Sequence, residues 1–231
     1  LNLTFYKIIR KEVNIMGITK KRPMVKQTVG DMYYAFNTQT EDGDFQAGKY
    51  EGTVQCPTVK NVSTTENAES TTIKASGKDY ETVNQSDSTD IAVEVIAFDP
   101  GDLARMRGDD ASADNGLILS GAINRRPFFA YGKVVKKLGG GSRYEWFPKC
   151  QLVENTDDIA TSEDSFSEQN DTVTIRAYDF DGKGNKKVFV DSETEKFPKG
   201  LTEEKFFANV ISSKEDLDKA IATEPQDVAG A

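Results

Sequence analysis

The chain contains no histidine. That absence removes the commonest general base and the commonest transition-metal ligand, so His-based catalytic triads, His-based zinc sites and imidazole pH switches are excluded. Cysteine is scarce: Cys56 and Cys150 lie far apart and neither belongs to a paired motif. A disulfide or zinc framework is therefore not expected, and a cytosolic place of synthesis fits. No apolar run approaches transmembrane length. The remaining chemistry would have to come from carboxylates and lysines. Acidic residues scattered along a polar chain read as solvated charge, so no enzyme is expected, and no catalytic, cofactor-binding or metal-binding residue is assigned.

What is present is enough for one core. A chain of 231 residues buries about 70% of its unfolded surface and needs neither a disulfide nor a metal to do so. Apolar residues make up 37% and charged ones 29%, a globular but wet composition. The charge is uneven. Up to Lys26 there are seven Lys and Arg against the single acid Glu12. Subtracting seven and one from the totals of 29 and 38 leaves 22 basic and 37 acidic residues, a net of −15 for the rest. Such a body repels nucleic acid, whose binding needs cationic side chains to displace counterions.

Residues 1–15 read either as an untranslated leader, outside the native protein, or as a basic arm. Lys11-Glu12-Val13 is encodable by a ribosome-binding sequence a short gap before Met16, and the stretch lacks the long apolar centre of a signal peptide. From residue 16 to residue 200 the pattern is mainly β. Met32, Tyr34 and Phe36 alternate within Asp31 to Asn37, and a strand runs from Tyr50 toward Val62, broken near Cys56-Pro57. Ser63 to Glu69 reads as a polar turn, Thr71 to Ala75 alternates, and Glu81 to Ser88 is a loop or weak strand. Ile91 to Phe98 and Thr172 to Phe180 are strongly β, and Lys187 to Val190 is expected to return across an Asp181 to Asn185 turn. One helix is fully punctuated: Asp99 as N-cap, Pro100 at its first position, Asp102 at its positive end, Arg105 and Arg107 at its negative end, and Gly108 as the C-terminal turn. Residues 201–231 form a helical extension. There Thr202 caps a short helix pinned by Phe206 and Phe207, and Ser213 with Asp216 caps Lys214 to Ala222.

The richest stretch runs from Arg126 to Glu154, two aromatic arms about Gly139-Gly140-Gly141-Ser142. Pairing across that turn sets Val135 opposite Trp146, Tyr131 opposite Cys150 and Phe129 opposite Leu152 on one buried face. The other face, with Lys136 facing Glu145, is expected to be mixed. An Asp114-Asn115-Gly116 turn, a short apolar strand Leu117 to Leu119, then Pro127-Phe128-Phe129-Ala130-Tyr131-Gly132 and Arg143-Tyr144-Glu145-Trp146-Phe147 come in order after the helix. In that order the elements from Lys26 to Asp191 resemble the major tail proteins, the tail tube subunits of long-tailed phages of Gram-positive bacteria. The resemblance implies a tail-tube-type β-sandwich or partial barrel with a flanking helix, and stacked hexameric rings around a tape measure protein and later around DNA. It also implies contacts with tail terminator and distal tail proteins, and a place in the virion.

In a tube, an anionic wall would keep the phosphate backbone from adhering, over about 8 to 10 Å at physiological salt. Asp42, Asp44 and Glu81 are candidates for such a wall because they lie in or near loops between strands. The acidic loop Asn155 to Asp171 reads as solvated surface or a channel-facing segment. Three motifs carry nothing. Asp179-Phe180-Asp181-Gly182-Lys183-Gly184-Asn185 begins like a calcium loop but has Lys183 at the fifth position and Val190 at the twelfth, so a hairpin turn is expected. Gly139 to Ser142 lacks the lysine of a phosphate loop. Asn61 and Asn170 match glycosylation acceptors without meaning in a bacterial cytosol. The alternative reading is a β-sandwich recognition module for a receptor or carbohydrate, which would need exposed aromatics converging on a groove.

Overall fold

A computed structural model describes residues 21–110, 115–157, 159–161 and 168–222. The readings of residues 1–15, of Asp114, Asp158, Glu163 and Asp164, and of the last residues from Glu224 to Ala231 fall outside the described residues. The fold is mainly β, as expected. Its strands are β1 (Lys26–Phe36), β2 (Val54–Cys56), β3 (Val59–Ala75), β4 (Lys78–Val95), β5 (Phe129–Lys137), β6 (Ser142–Asp157), β7 (Asp171–Ala177) and β8 (Val188–Asp191). Helix α1 (Pro100–Arg107) sits between β4 and β5, and α2 (Glu203–Phe207) and α3 (Lys214–Ala222) come after β8.

All strand pairs are antiparallel, and the sheet runs β2-β1-β5-β6-β7-β4-β3, with β8 also on β6. The two end strands of that path, β2 and β3, are joined by Pro57 and Thr58 alone. Two edges linked by two residues must lie side by side at that end, so the sheet rolls. A second contact says the same: Lys133 Nζ on β5 donates to Thr64 Oγ1 on β3 at 2.6 Å, although four strand intervals would separate them by about 19 Å in a flat sheet. Pro57 falls in the break between strands, where its missing N–H costs no ladder bond.

Rolling creates an interior filled by Met32, Tyr34, Phe36, Ile91, Val93, Phe129, Tyr131, Phe147, Cys150, Leu152 and Ile175. Helix α1 closes one side of it. Asp99 Oδ1 accepts from the N–H groups of Gly101 and Asp102 at 2.9 Å, and Gly108 adopts φ 76°, as the punctuation predicts. Met106 is buried in this core, and Asp102 accepts a hydrogen bond from the Tyr34 hydroxyl at 2.5 Å.

The central hairpin departs from its predicted register. Lys137 N donates to Gly141 O at 2.8 Å, so the chain turns through Leu138-Gly139-Gly140, with both glycines at positive φ, and not across Gly139 to Ser142. Tyr131 consequently faces Phe147, three residues before Cys150, and Gly132 faces Trp146. An odd shift exchanges faces: Trp146 leaves the interior shared by Tyr131 and lies on the outside of the roll. That outer face is also buried, a correction to the mixed face expected. Trp146 packs there with Tyr33, Ala130, Val134, Tyr144, Phe206, Phe207, Val210 and Ile211. Phe207 stacks on Tyr33 with ring centroids 4.0 Å apart, and a Cβ on Gly132 would stand 2.7 Å from Phe207 Cε1. Glycine at 132 is what lets the helix approach.

Three further readings are corrected. Ser63 to Glu69 is not a turn but the middle of β3, and of the two readings of Glu81 to Ser88 the strand holds, as part of β4. Leu117 to Leu119 is no strand: only an isolated bridge joins Leu119 to Asp110. Strand β8 does not return across β7. Both lie along the same side of β6, β8 against Arg143 to Trp146 and β7 against Cys150 to Asp157. The Asp179 to Asn185 turn therefore carries the chain from one part of β6 to another.

Candidate assembly surfaces

The longest strands build a surface rather than a core. β3 and β4 pair from Val59↔Val95 to Ala75↔Lys78, while β7 covers β4 only from Thr89 onward. Beyond Asn67 and Ser88 the two strands leave the body as a free ribbon, about ten residues or 33 Å long. Ser76 and Gly77, at φ 52° and 74°, close it, the positive-φ pair that matches strand twist in a tight hairpin. On one face Glu69, Thr71 and Ile73 lie opposite Glu81 and Val83, and the other carries Ser70, Thr72, Thr82 and Asn84. Among the described residues no strand pairs with either outer edge of this ribbon, and Lys186 Nζ reaches its root, donating to Ser86 O at 2.6 Å. Such edges are templates for another strand, which monomeric proteins normally blunt. Neither face is apolar enough to fold alone, and Ile73 and Val83 are 47% and 43% exposed.

At the root of this arm the roll opens into a cleft of 890 Å³. Lys26, Lys60, Lys133, Arg143, Lys186 and Lys187 line it against Glu66 and Glu145, a surplus of four positive charges in a chain of net charge −9. Its floor is a buried charge cluster. Lys133 and Glu145 are 6% and 2% exposed and 3.4 Å apart, and Arg143 Nε lies 2.8 Å from Glu145 Oε1, a charge contact at an angle unsuited to a hydrogen bond. Burial pulls the Lys133 amine below its ordinary range, and Glu145 only partly offsets this. On the rim, Lys60 pairs with Glu168 at 2.8 Å, whereas Lys26 and Lys187 are exposed and have no carboxylate partner among the described residues. Lys187 Nζ lies 5.5 Å from the ring centre of Phe189, which is 51% exposed.

A second buried cation, Lys137, serves structure. Its Nζ donates to both Asp191 oxygens, at 2.7 and 2.6 Å, and to Glu193 Oε2 at 2.5 Å, tying β5 to the end of β8. Burial opposes its charge, but these carboxylates outweigh burial and raise its pKa.

The candidate wall residues do not gather in one place. Asp44 pairs with Arg125 at 2.9 Å, and the Asp42 carbonyl accepts from the same guanidinium, so both fasten the Thr38 to Gly48 loop to the chain before β5. Glu81 lies on the arm. No group of three or more potential metal ligands exists among the described residues. In the Asp179 to Asn185 turn, Asp181 accepts from the Lys183 N–H at 3.0 Å and from Asn185 Nδ2 at 2.7 Å, which is turn chemistry. No described helix is long and apolar enough to cross a membrane. The exposed large aromatics among the described residues, Tyr80 on the arm and Phe189 on the cleft rim, form no shared groove. Sequence reasoning missed the cleft because its cations come from β1, β3, β5, β6 and the turn before β8, and only the roll brings them together.

No protein-family model and no curated protein matches the chain. Among solved structures it is similar to the cryo-EM structure of the anti-feeding prophage baseplate, at 9% identity and a TM-score of 0.42 over 76% of this chain and 100% of that one. It is also similar to the anti-feeding prophage tube terminating cap, at 8% identity and a TM-score of 0.41 over 78% of this chain and 97% of that one. At such identities and TM-scores neither neighbour bears on what this chain does.

Proposed function

We propose that this chain is a structural subunit of a phage tail, specifically the major tail protein whose copies form stacked hexameric rings around the passage for DNA. The observation that carries this reading is the β3–β4 arm, a polar ribbon with two unpaired edges standing clear of the body. Edges of this kind vanish when identical copies place them side by side, and repeated contacts between unlike surfaces of one chain give rings or filaments. The resemblance from Lys26 to Asp191 supports the same reading and supplies the ring number, the tape measure partner and the virion location. The subunit turns over no substrate: with no histidine, its carboxylates and lysines serve as surface charge and ion pairs. Its acidic body disfavours adhesion of DNA during passage. The test is immunogold electron microscopy of virions with antibody against the chain. Label spaced along the whole tail shaft is expected, and label confined to one end, or none, would overturn the reading.

A further inference from the structure

The cleft and the arm are complementary, yet within one chain they meet only at the arm's root, where Lys186 Nζ donates to Ser86 O at 2.6 Å. The arm leaves the body at the cleft's own rim, through Glu66 and Thr89. Glu81 then lies about 25 Å along the strand from Thr89, and the ribbon, hydrogen-bonded from root to tip, does not fold back on itself. Its charge is opposite to that of the cleft. From Asn67 to Ser88 the acids Glu69, Asp79, Glu81 and Asp87 outnumber Lys74 and Lys78, a net of −2. The match extends to shape and apolar content. One face of the arm sets Val83 in the row between Glu69 and Glu81, with Ile73 directly opposite Glu81, while the cleft offers exposed Phe189 beside Lys187, with Lys26 on the same rim.

We propose that the cleft receives the arm of a second copy of this chain, with Ile73 and Val83 against Phe189 and the Glu69 and Glu81 carboxylates on Lys26 and Lys187. This rests on the assembly reading above and adds to it which two surfaces meet. The contact joins unlike patches, so a pair keeps one free arm and one free cleft, on different copies, and can continue in both directions. Charge supplies steering and register, and the apolar pair supplies the desolvated centre. The surplus charge on the floor, from Lys133 and Arg143 against Glu145, strengthens the field inside the cleft where water is excluded.

The experiment uses the full chain. A fluorophore on Cys at position 80 (Tyr80→Cys, in a Cys56→Ser background) reports titration with unlabelled full chain at low salt, read by fluorescence anisotropy. Saturable self-binding is expected, weakened at least about tenfold when the unlabelled copy carries Lys26→Glu with Lys187→Glu, and weakened again by raising salt. A labelled copy carrying Glu69→Lys with Glu81→Lys should fail on the wild-type cleft and recover on the reversed one. These four positions are exposed, so the variants keep the fold, which circular dichroism checks. Absence of self-binding up to millimolar concentration, indifference to the cleft reversal, or lack of recovery in the exchanged pair would each overturn the proposal. So would an oligonucleotide that binds the wild-type cleft more tightly than the arm does, because that would assign the site to a phosphate backbone. Shaft labelling with a negative result here would leave the tail reading standing and remove only this contact. Self-binding without shaft labelling would do the reverse.

Discussion

Two buried lysines, four residues apart on β5, have opposite fates. Lys133 is short of negative charge, sharing Glu145 with Arg143, and burial lowers its pKa. Lys137 has two carboxylates to itself, and its pKa rises. The same pairing lowers both acids. Burial pushes Asp191 up, but hydrogen bonds from Lys137 and the Glu193 N–H outweigh it, and Glu193 is held down chiefly by its hydrogen bond from Lys137. A carboxylate with a depressed folded pKa contributes stability that is present above its unfolded value near 4 and is lost as pH falls through the folded value. Urea midpoints should therefore fall between about pH 5 and pH 3. Asp191→Asn should cost about 1–3 kcal/mol at pH 7, because the buried Lys137 is then left with the Glu193 carboxylate alone, and the gap to wild type should narrow toward pH 3. A gap that stays constant with pH would show that the pair is not the source.

The elements that are legible in the sequence are those whose signal is local. The α1 helix carries its own cap, first-turn proline and terminal glycine, and all three act as such. The Ser213 and Asp216 pair behaves likewise: Asp216 Oδ2 accepts from Ser213 N at 3.0 Å, and Asp216 N donates to Ser213 Oγ at 3.2 Å. The arm is only faintly legible, because period-2 hydrophobicity marks a strand with one dry face, and from Ala68 to Asp87 both faces are wet. Its local marks are the Thr71 to Ala75 alternation, the weak strand signal of Glu81 to Ser88 and the turn at Ser76-Gly77. The central register escapes the sequence for another reason, since three consecutive glycines allow several turn positions and only packing of both faces selects one. Because the arm owes nothing to the core, it should be dispensable for folding. Replacing Ala68–Asp87 with an Asn-Gly turn keeps the Asn67↔Ser88 pair as the natural end of the ribbon. Thermal unfolding of that variant should stay within about 5 °C of wild type, a change of order 1–2 kcal/mol for a chain of this size. A collapse of the transition would mean that the arm holds the body together.

One sheet serves two cores here, and this decides how the C-terminal segment must behave. The inside of the roll is sealed by its own strands and α1, but the outside of β1, β5 and β6 is sealed chiefly by the C-terminal segment beyond Gly200, with Tyr50, Val188, Val190 and Phe197 at its margin. Leu201, Phe206, Phe207, Val210 and Ile211 are all buried there, and Trp146 Nε1 donates to Phe206 O at 3.2 Å. Losing a buried Leu, Ile or Phe side chain costs about 2–5 kcal/mol, while a domain has about 5–15 kcal/mol in total. Five such losses, with Trp146 and Tyr33 left facing water, exceed what the inner core can offset. A chain ending at Gly200 should therefore show no cooperative unfolding transition and should bind a hydrophobic dye. Adding a peptide of residues 201–222 in trans should restore a transition whose midpoint rises with peptide concentration, as mass action requires for a partner that binds only the folded form. If the shortened chain instead melts cooperatively near the wild-type temperature, the segment is an appendage resting on a self-sufficient barrel, and the second core contributes little to the fold.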